Sequence, residues 1–128
     1  MYSAASVLTP YYPGDAYVDW LGLDGYNRGG AAWQSFAQVF GASYQSITAL
    51  SAKPLMIAET ASAEAGGSKA QWIVDAFSTQ ILQRYPRIQA VLWFNQNKET
   101  DWRIESSAAA QRAFARAVAS SVYRSSWH

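Results

Sequence analysis

Three short stretches bring polar and aromatic groups to the ends of apolar runs. They are Asp24-Gly25-Tyr26-Asn27, Glu59-Thr60 and Trp93-Phe94-Asn95-Gln96-Asn97. The middle one is the sharpest. In "KPLMIAETAS" (residues 53–62), four apolar residues, Leu55 to Ala58, run straight into the carboxylate of Glu59. A carboxylate on a rigid element is suited to attack an electrophilic carbon or to exchange a proton. A phenol within reach would hold it in place by donating a hydrogen bond. Flat aromatic rings offer apolar surface to a ligand, although such rings also fill cores.

The elements that must position these groups follow from the hydrophobic period. A first strand spans Trp20 to Tyr26. A helix from about Trp33 to Leu50 follows, with Trp33, Phe36, Phe40, Tyr44, Ile47 and Leu50 stepping by three and four. Gly41 is a weak point in it. A second strand, Leu55 to Ala58, precedes a helix whose start signal is Ser68 and whose buried stripe is Ile73, Phe77 and Ile81; Pro86 ends it. A third strand, Ala90 to Asn95, precedes a last helix starting near Ser106 or Ser107, with Phe114, Val118 and Val122 four apart. Strands alternating with helices predict a parallel α/β sheet, and continuously apolar strands predict cover on both faces. In such sheets, and in (β/α)8 barrels, ligands bind at the carboxyl ends of strands. All three polar stretches lie there.

Composition narrows the chemistry. Residues 1–128 read as a single domain, half hydrophobic and only 15% charged. Ten Lys plus Arg against nine Asp plus Glu give a net charge of +1, with no basic run. That balance predicts neither a nucleic-acid nor a membrane partner. The chain lacks cysteine, and its one histidine is the last residue, His128. Thiolate metal sites are excluded, and neither a metal nor a cofactor is expected. No apolar run approaches the ~18 residues of a membrane span. "MYSAASVLTP" has no basic region ahead of an apolar one and does not read as a signal peptide.

"YYPGDAYVDWLGLDGYN", "WQSFAQVF", "KPLMIAETAS" and "AVLWFNQNKETDWRI", in that order, resemble the C-terminal part of glycoside hydrolase family 26. That family includes β-mannanases and β-1,3-1,4-glucanases (lichenases). The resemblance implies a partial (β/α)8 TIM barrel: three to four parallel βα units forming the C-terminal half-barrel, with strands six, seven and eight present. It implies that Glu59 is the catalytic nucleophile and that Tyr26 hydrogen-bonds it. Trp93 would floor the subsite beside the scissile bond. Trp33, Trp102 and Asn95 would be further substrate-binding groups, with ordinary packing the alternative for the two tryptophans. The expected partner is a polysaccharide or oligosaccharide, and the parent enzyme is expected to be secreted.

The family's second carboxyl group, the acid/base, belongs to a fourth-strand stretch reading roughly His-Glu-Met-Asn, which this sequence lacks. Asp24 would share a face with Tyr26 if its strand stays regular. Glu64, Glu99 and Asp101 read as loop charges without cause for a raised pKa. The chain is therefore expected to be inactive or weakly active alone. A three-stranded sheet leaves open edges, so self-association, or pairing with a complementary half-barrel, is expected. Residues 1–8 would supply a fourth strand. The alternatives are a non-catalytic carbohydrate-binding module or a purely structural half-barrel.

Overall fold

The computed structural model describes residues 8–123. Strands β1 (Leu21–Asn27), β2 (Leu55–Ser62) and β3 (Ile88–Trp93) form one parallel sheet in the order β1-β2-β3. Helix α1 (Phe36–Leu50) follows β1. Helix α2 follows β2 after a loop and runs without a break, α-helical over Lys69–Val74, π-helical over Asp75–Gln80 and α-helical again over Ile81–Gln83. Helix α3 (Ala108–Val118) follows β3. Three consecutive parallel βα units are consistent with a section of a (β/α)8 barrel. The expected fourth strand falls largely on residues 1–7, outside the described residues.

Each helix begins at a serine. Ser35 Oγ accepts from Gln38 N at 3.2 Å, and Gln38 Oε1 accepts from Ser35 N at 2.9 Å. This capping box starts α1 at Phe36 and leaves Trp33, the predicted first turn, in the preceding loop. Ser68 Oγ accepts from Gln71 N, and Ser107 Oγ accepts from Ala110 N. Helix α3 stops at Val118, so Val122 drops out of its predicted stripe and is 63% exposed. Gly41 does not break α1. A Cβ there would lie 3.2 Å from the Tyr85 hydroxyl, so the glycine makes room for that ring.

The helices cover one face of the sheet. Leu21, Leu55, Ile57 and Ile88 meet Phe36, Phe40, Ile73, Phe77 and Ile81 in the core. The other face carries Gly22, Met56, Ala58, Ala90 and Leu92, and Leu92 is 52% exposed. The expectation of strands covered on both faces therefore holds for one face among the described residues.

At the amino ends of the strands, Arg87 ties the layers together. Its guanidinium donates to the carbonyls of Thr48, Ser51 and Lys53 at 3.0, 2.7 and 2.9 Å. A cation at the end of α1 satisfies carbonyls the helix leaves free.

Candidate functional site

Strand β1 is regular, and its side chains alternate. A Cβ on Gly25 would strike Val39 and Phe40 of α1, so Gly25 faces the helices and Asp24 and Tyr26 face away from them. Strand β2 is not regular. Leu23 pairs with Ile57, but the next pair is Asp24 with Glu59, which leaves Ala58 over. Against β3, three steps from Ile57 to Thr60 match two from Val91 to Trp93. This is a β-bulge at Ala58-Glu59, and it re-aims the carboxylate. Glu59 is thus not the end of its strand, as the apolar run predicted, but a bulged position within it.

On the uncovered face the Tyr26 hydroxyl donates to Glu59 Oε2. The phenol is pushed up to about 12, first by burial and then by its hydrogen bond to Glu59. Its ring is held on several sides: Trp102 at 5.2 Å, Phe94 edge-on at 5.9 Å and the Arg28 guanidinium at 5.4 Å. A phenol with a folded pKa above its ordinary 10.0 contributes stability that is fully present below pH 10. That contribution disappears as pH rises through about 12. Denaturant unfolding followed between pH 9 and 12 should show this loss, and Tyr26→Phe should make it shallower, leaving the share of Tyr123, which burial also pushes up to about 12.

The rim loops interlock. Gly30 N donates to Ala65 O at 2.7 Å, and a Cβ on Gly66, whose φ is +98°, would lie 2.5 Å from Gly30 N. Backbone meets backbone here, which only glycine permits. Asn27, fully buried, organises the crossing. It donates to Ser62 Oγ at 2.9 Å and accepts from Gly29 N and Gln34 N at 3.3 and 2.8 Å. Asn27→Ala would leave these groups unpaired and is expected to cost about 3 kcal/mol in chemical denaturation. In the sequence Asn27 stands out only as a strand-end amide. The signal for its role was an Asn two residues before the Gly29-Gly30 pair.

Residues 2–123 match the model of glycosyl hydrolase family 26. The chain belongs to this family. It is also 50% identical over 113 residues to endoglucanase H of Acetivibrio thermocellus. That alignment covers 84% of this chain and 12% of the relative, so the chain spans a small part of that protein's length.

In this family 26 chain, the residues singled out from the sequence fall into two groups. Tyr26 and Glu59 are brought together, with Asp24 opposite Glu59 on the next strand. The tryptophans are not free at the rim. Trp93 pairs in register with Thr60, itself opposite the helix-facing Gly25, and packs against Trp72, Phe77 and Phe114 at 5.9 to 6.4 Å. The expected subsite floor thus packs on the helix layer, and it also touches the Ala61, Ala63 and Trp102 cluster that holds Tyr26. Phe94, the neighbour of Trp93, lies together with Trp102 beside the Tyr26 ring. Trp102 is 1% exposed, which supports its packing alternative over contact with a ligand. Trp33 lies half-buried under Gly67, where an added Cβ would be 2.7 Å from its ring. Asn95 braces the loop after β3, accepting from Ile104 N at 2.7 Å and donating to Glu105 at 3.2 Å.

The remaining carboxylates are engaged. Arg103 donates twice to Asp101 at 2.8 Å and, as the largest cause, holds that carboxyl down at about 2. Glu99 accepts from Trp102 Nε1 and is lowered, first by its own backbone amide. Glu64 accepts from Ser106 Oγ at 2.7 Å. Among the described residues no group of His, Asp and Glu is arranged to hold a metal ion, and no helix is long and apolar enough to cross a membrane.

Proposed function

We propose that this chain carries the nucleophile side of the cleft of a retaining β-glycanase, on the C-terminal half of a (β/α)8 barrel. In this reading β1, β2 and β3 are the sixth, seventh and eighth strands. The observation that carries it is the hydrogen bond from Tyr26 to a bulge-aimed Glu59 on the open face of a family 26 chain. Glu59 attacks the anomeric carbon and forms a glycosyl ester as the leaving oxygen departs; water then releases the sugar. The phenol fixes the attacking oxygen's position. Tyr26 and Phe94, rather than Trp93, provide the ring surface beside the bond being cut. The substrate is a β-glucan in preference to a mannan, which the 50% identity to a protein named endoglucanase supports.

The leaving oxygen needs a proton from a second carboxyl about 5–5.5 Å away. Asp101 is held low by Arg103 and Glu99 by its own backbone amide, the wrong direction for a proton donor near neutral pH. The 128 residues alone should therefore release little sugar from lichenan or mannan. They should be far more active on a dinitrophenyl β-cellobioside, whose leaving group departs unprotonated. Equal rates on both substrate types would contradict the missing-acid reading.

The chain also self-associates, or pairs with a complementary half-barrel. Supporting this are the exposed Leu92, its neighbours Met56, Ala58 and Ala90 on the bare face, and the unpaired outer edges of β1 and β3 among the described residues. Size-exclusion chromatography with light scattering should show an oligomer at micromolar concentration that Leu92→Lys weakens. A monomer of the unchanged chain would contradict it.

A further inference from the structure

Lys69 is the first residue of α2 and is 1% exposed. Both facts are unfavourable. A cation at a helix amino terminus opposes the helix dipole, and a buried ammonium loses its hydration. Burial accordingly lowers its pKa. Among the described residues no carboxylate bonds it directly. Instead its Nζ donates to Asp101 O at 3.3 Å, Arg103 O at 2.7 Å and Ser106 Oγ at 2.8 Å, and it sits 5.7 Å from the centre of the Trp93 ring. Ser106 passes the contact on to Glu64.

Two of the three acceptors are the carbonyls on either side of Trp102. The other polar groups of Trp102 are equally committed. Its N–H donates to Gln96 O, its indole donates to Glu99, and its carbonyl accepts from Trp93 Nε1 at 2.8 Å. The Trp102 ring in turn lies against Tyr26, and Tyr26 bonds Glu59. A continuous line of contacts therefore runs from the buried ammonium, through one indole, to the carboxylate at the site.

We propose that Lys69 is a positioning residue for Glu59. It pins the loop after β3 so that Trp102 presses on Tyr26 and keeps the phenol dry and directed at the carboxylate. A buried cation that breaks two local rules marks a position serving the site rather than the helix. This rests on the glycosidase reading for its purpose, but its test reads Tyr26 without substrate.

The test is the titration of Tyr26 in the full chain by NMR of ring-labelled tyrosine, assigned with Tyr26→Phe. The charged groups acting on this phenol are Glu59, Asp24 and Arg28. In the unchanged protein it should titrate at about 12. In Lys69→Met it should fall by about one pH unit or more, toward the ordinary tyrosine value, as water reaches the ring. Trp102→Leu should give the same fall, and the double variant no further one. Ser106→Ala, which removes one acceptor and keeps the ammonium, should give a smaller fall and serves if Lys69→Met does not fold. A Tyr26 titration unchanged in Lys69→Met, or in Ser106→Ala where Lys69→Met is unfolded, overturns the proposal. Failure of the glycosidase reading would instead appear as Glu59-independent turnover, with the Tyr26 titration still responding to Lys69.

Discussion

Glu59→Gln should reduce turnover of a dinitrophenyl β-cellobioside by about 10³-fold or more while leaving the fold unchanged. An activated leaving group removes the need for a proton donor, so the attacking carboxylate becomes the group on which the rate depends. Glu59 is exposed and lies at a bulge whose backbone pairing does not involve its side chain. Its replacement by an amide of the same shape therefore costs little stability. Gln retains an acceptor for the Tyr26 hydroxyl but is a far poorer nucleophile. Binding of the sugar, followed by tryptophan fluorescence or calorimetry, should survive. Loss of binding and turnover together would instead favour a structural role for the carboxylate.

The second large effect is on stability. Trp102→Ala should destabilise the chain by about 3–5 kcal/mol in chemical denaturation, the range for emptying a buried aromatic site. Trp102 is the largest fully buried side chain among the described residues and packs with Ala61 and Ala63, flanked by Tyr26, Trp93 and Phe94. Small residues leave nothing to expand into the space, which places the loss toward the upper end. Phe at this position fills most of the volume but cannot donate to Glu99, so Trp102→Phe should cost about 1–2 kcal/mol. Because the indole backs Tyr26, the alanine variant should also lose activity beyond its loss of folded protein.

Tyr26 and Glu59 were legible because the carboxyl-end rule placed both at one rim and the resemblance to family 26 paired them; strand alternation from Ile57 alone would have turned Glu59 toward the helices. The rest depended on single-residue offsets. Nothing in Ala58-Glu59 announces a bulge, since neither residue has a backbone preference that demands one. The register also slips at Gln89, between Ile88 and Ala90, and β3 starts two residues earlier than its apolar run suggested. One residue of slip exchanges the two faces of a strand. This is why Trp93 reaches the helix layer while Phe94 meets Tyr26 edge-on. Packing against Phe77 and Phe114 settles the exchange, and those partners lie 16 and 21 positions away in sequence, beyond any local pattern. Lys69 was unreadable for a related reason. Its acceptors are mostly main-chain carbonyls more than 30 residues on, and a lone lysine after a helix-capping serine looks like a solvated charge.

On the proposed reading Glu59 forms a covalent bond to sugar. Incubation with a 2-deoxy-2-fluoro β-cellobioside bearing a dinitrophenyl leaving group should slow the second step and trap the ester. Intact-protein mass spectrometry should then show one added glycosyl unit, and peptide mapping should place it on Glu59. No added mass, or a label on another residue that persists in Glu59→Gln, would contradict the account.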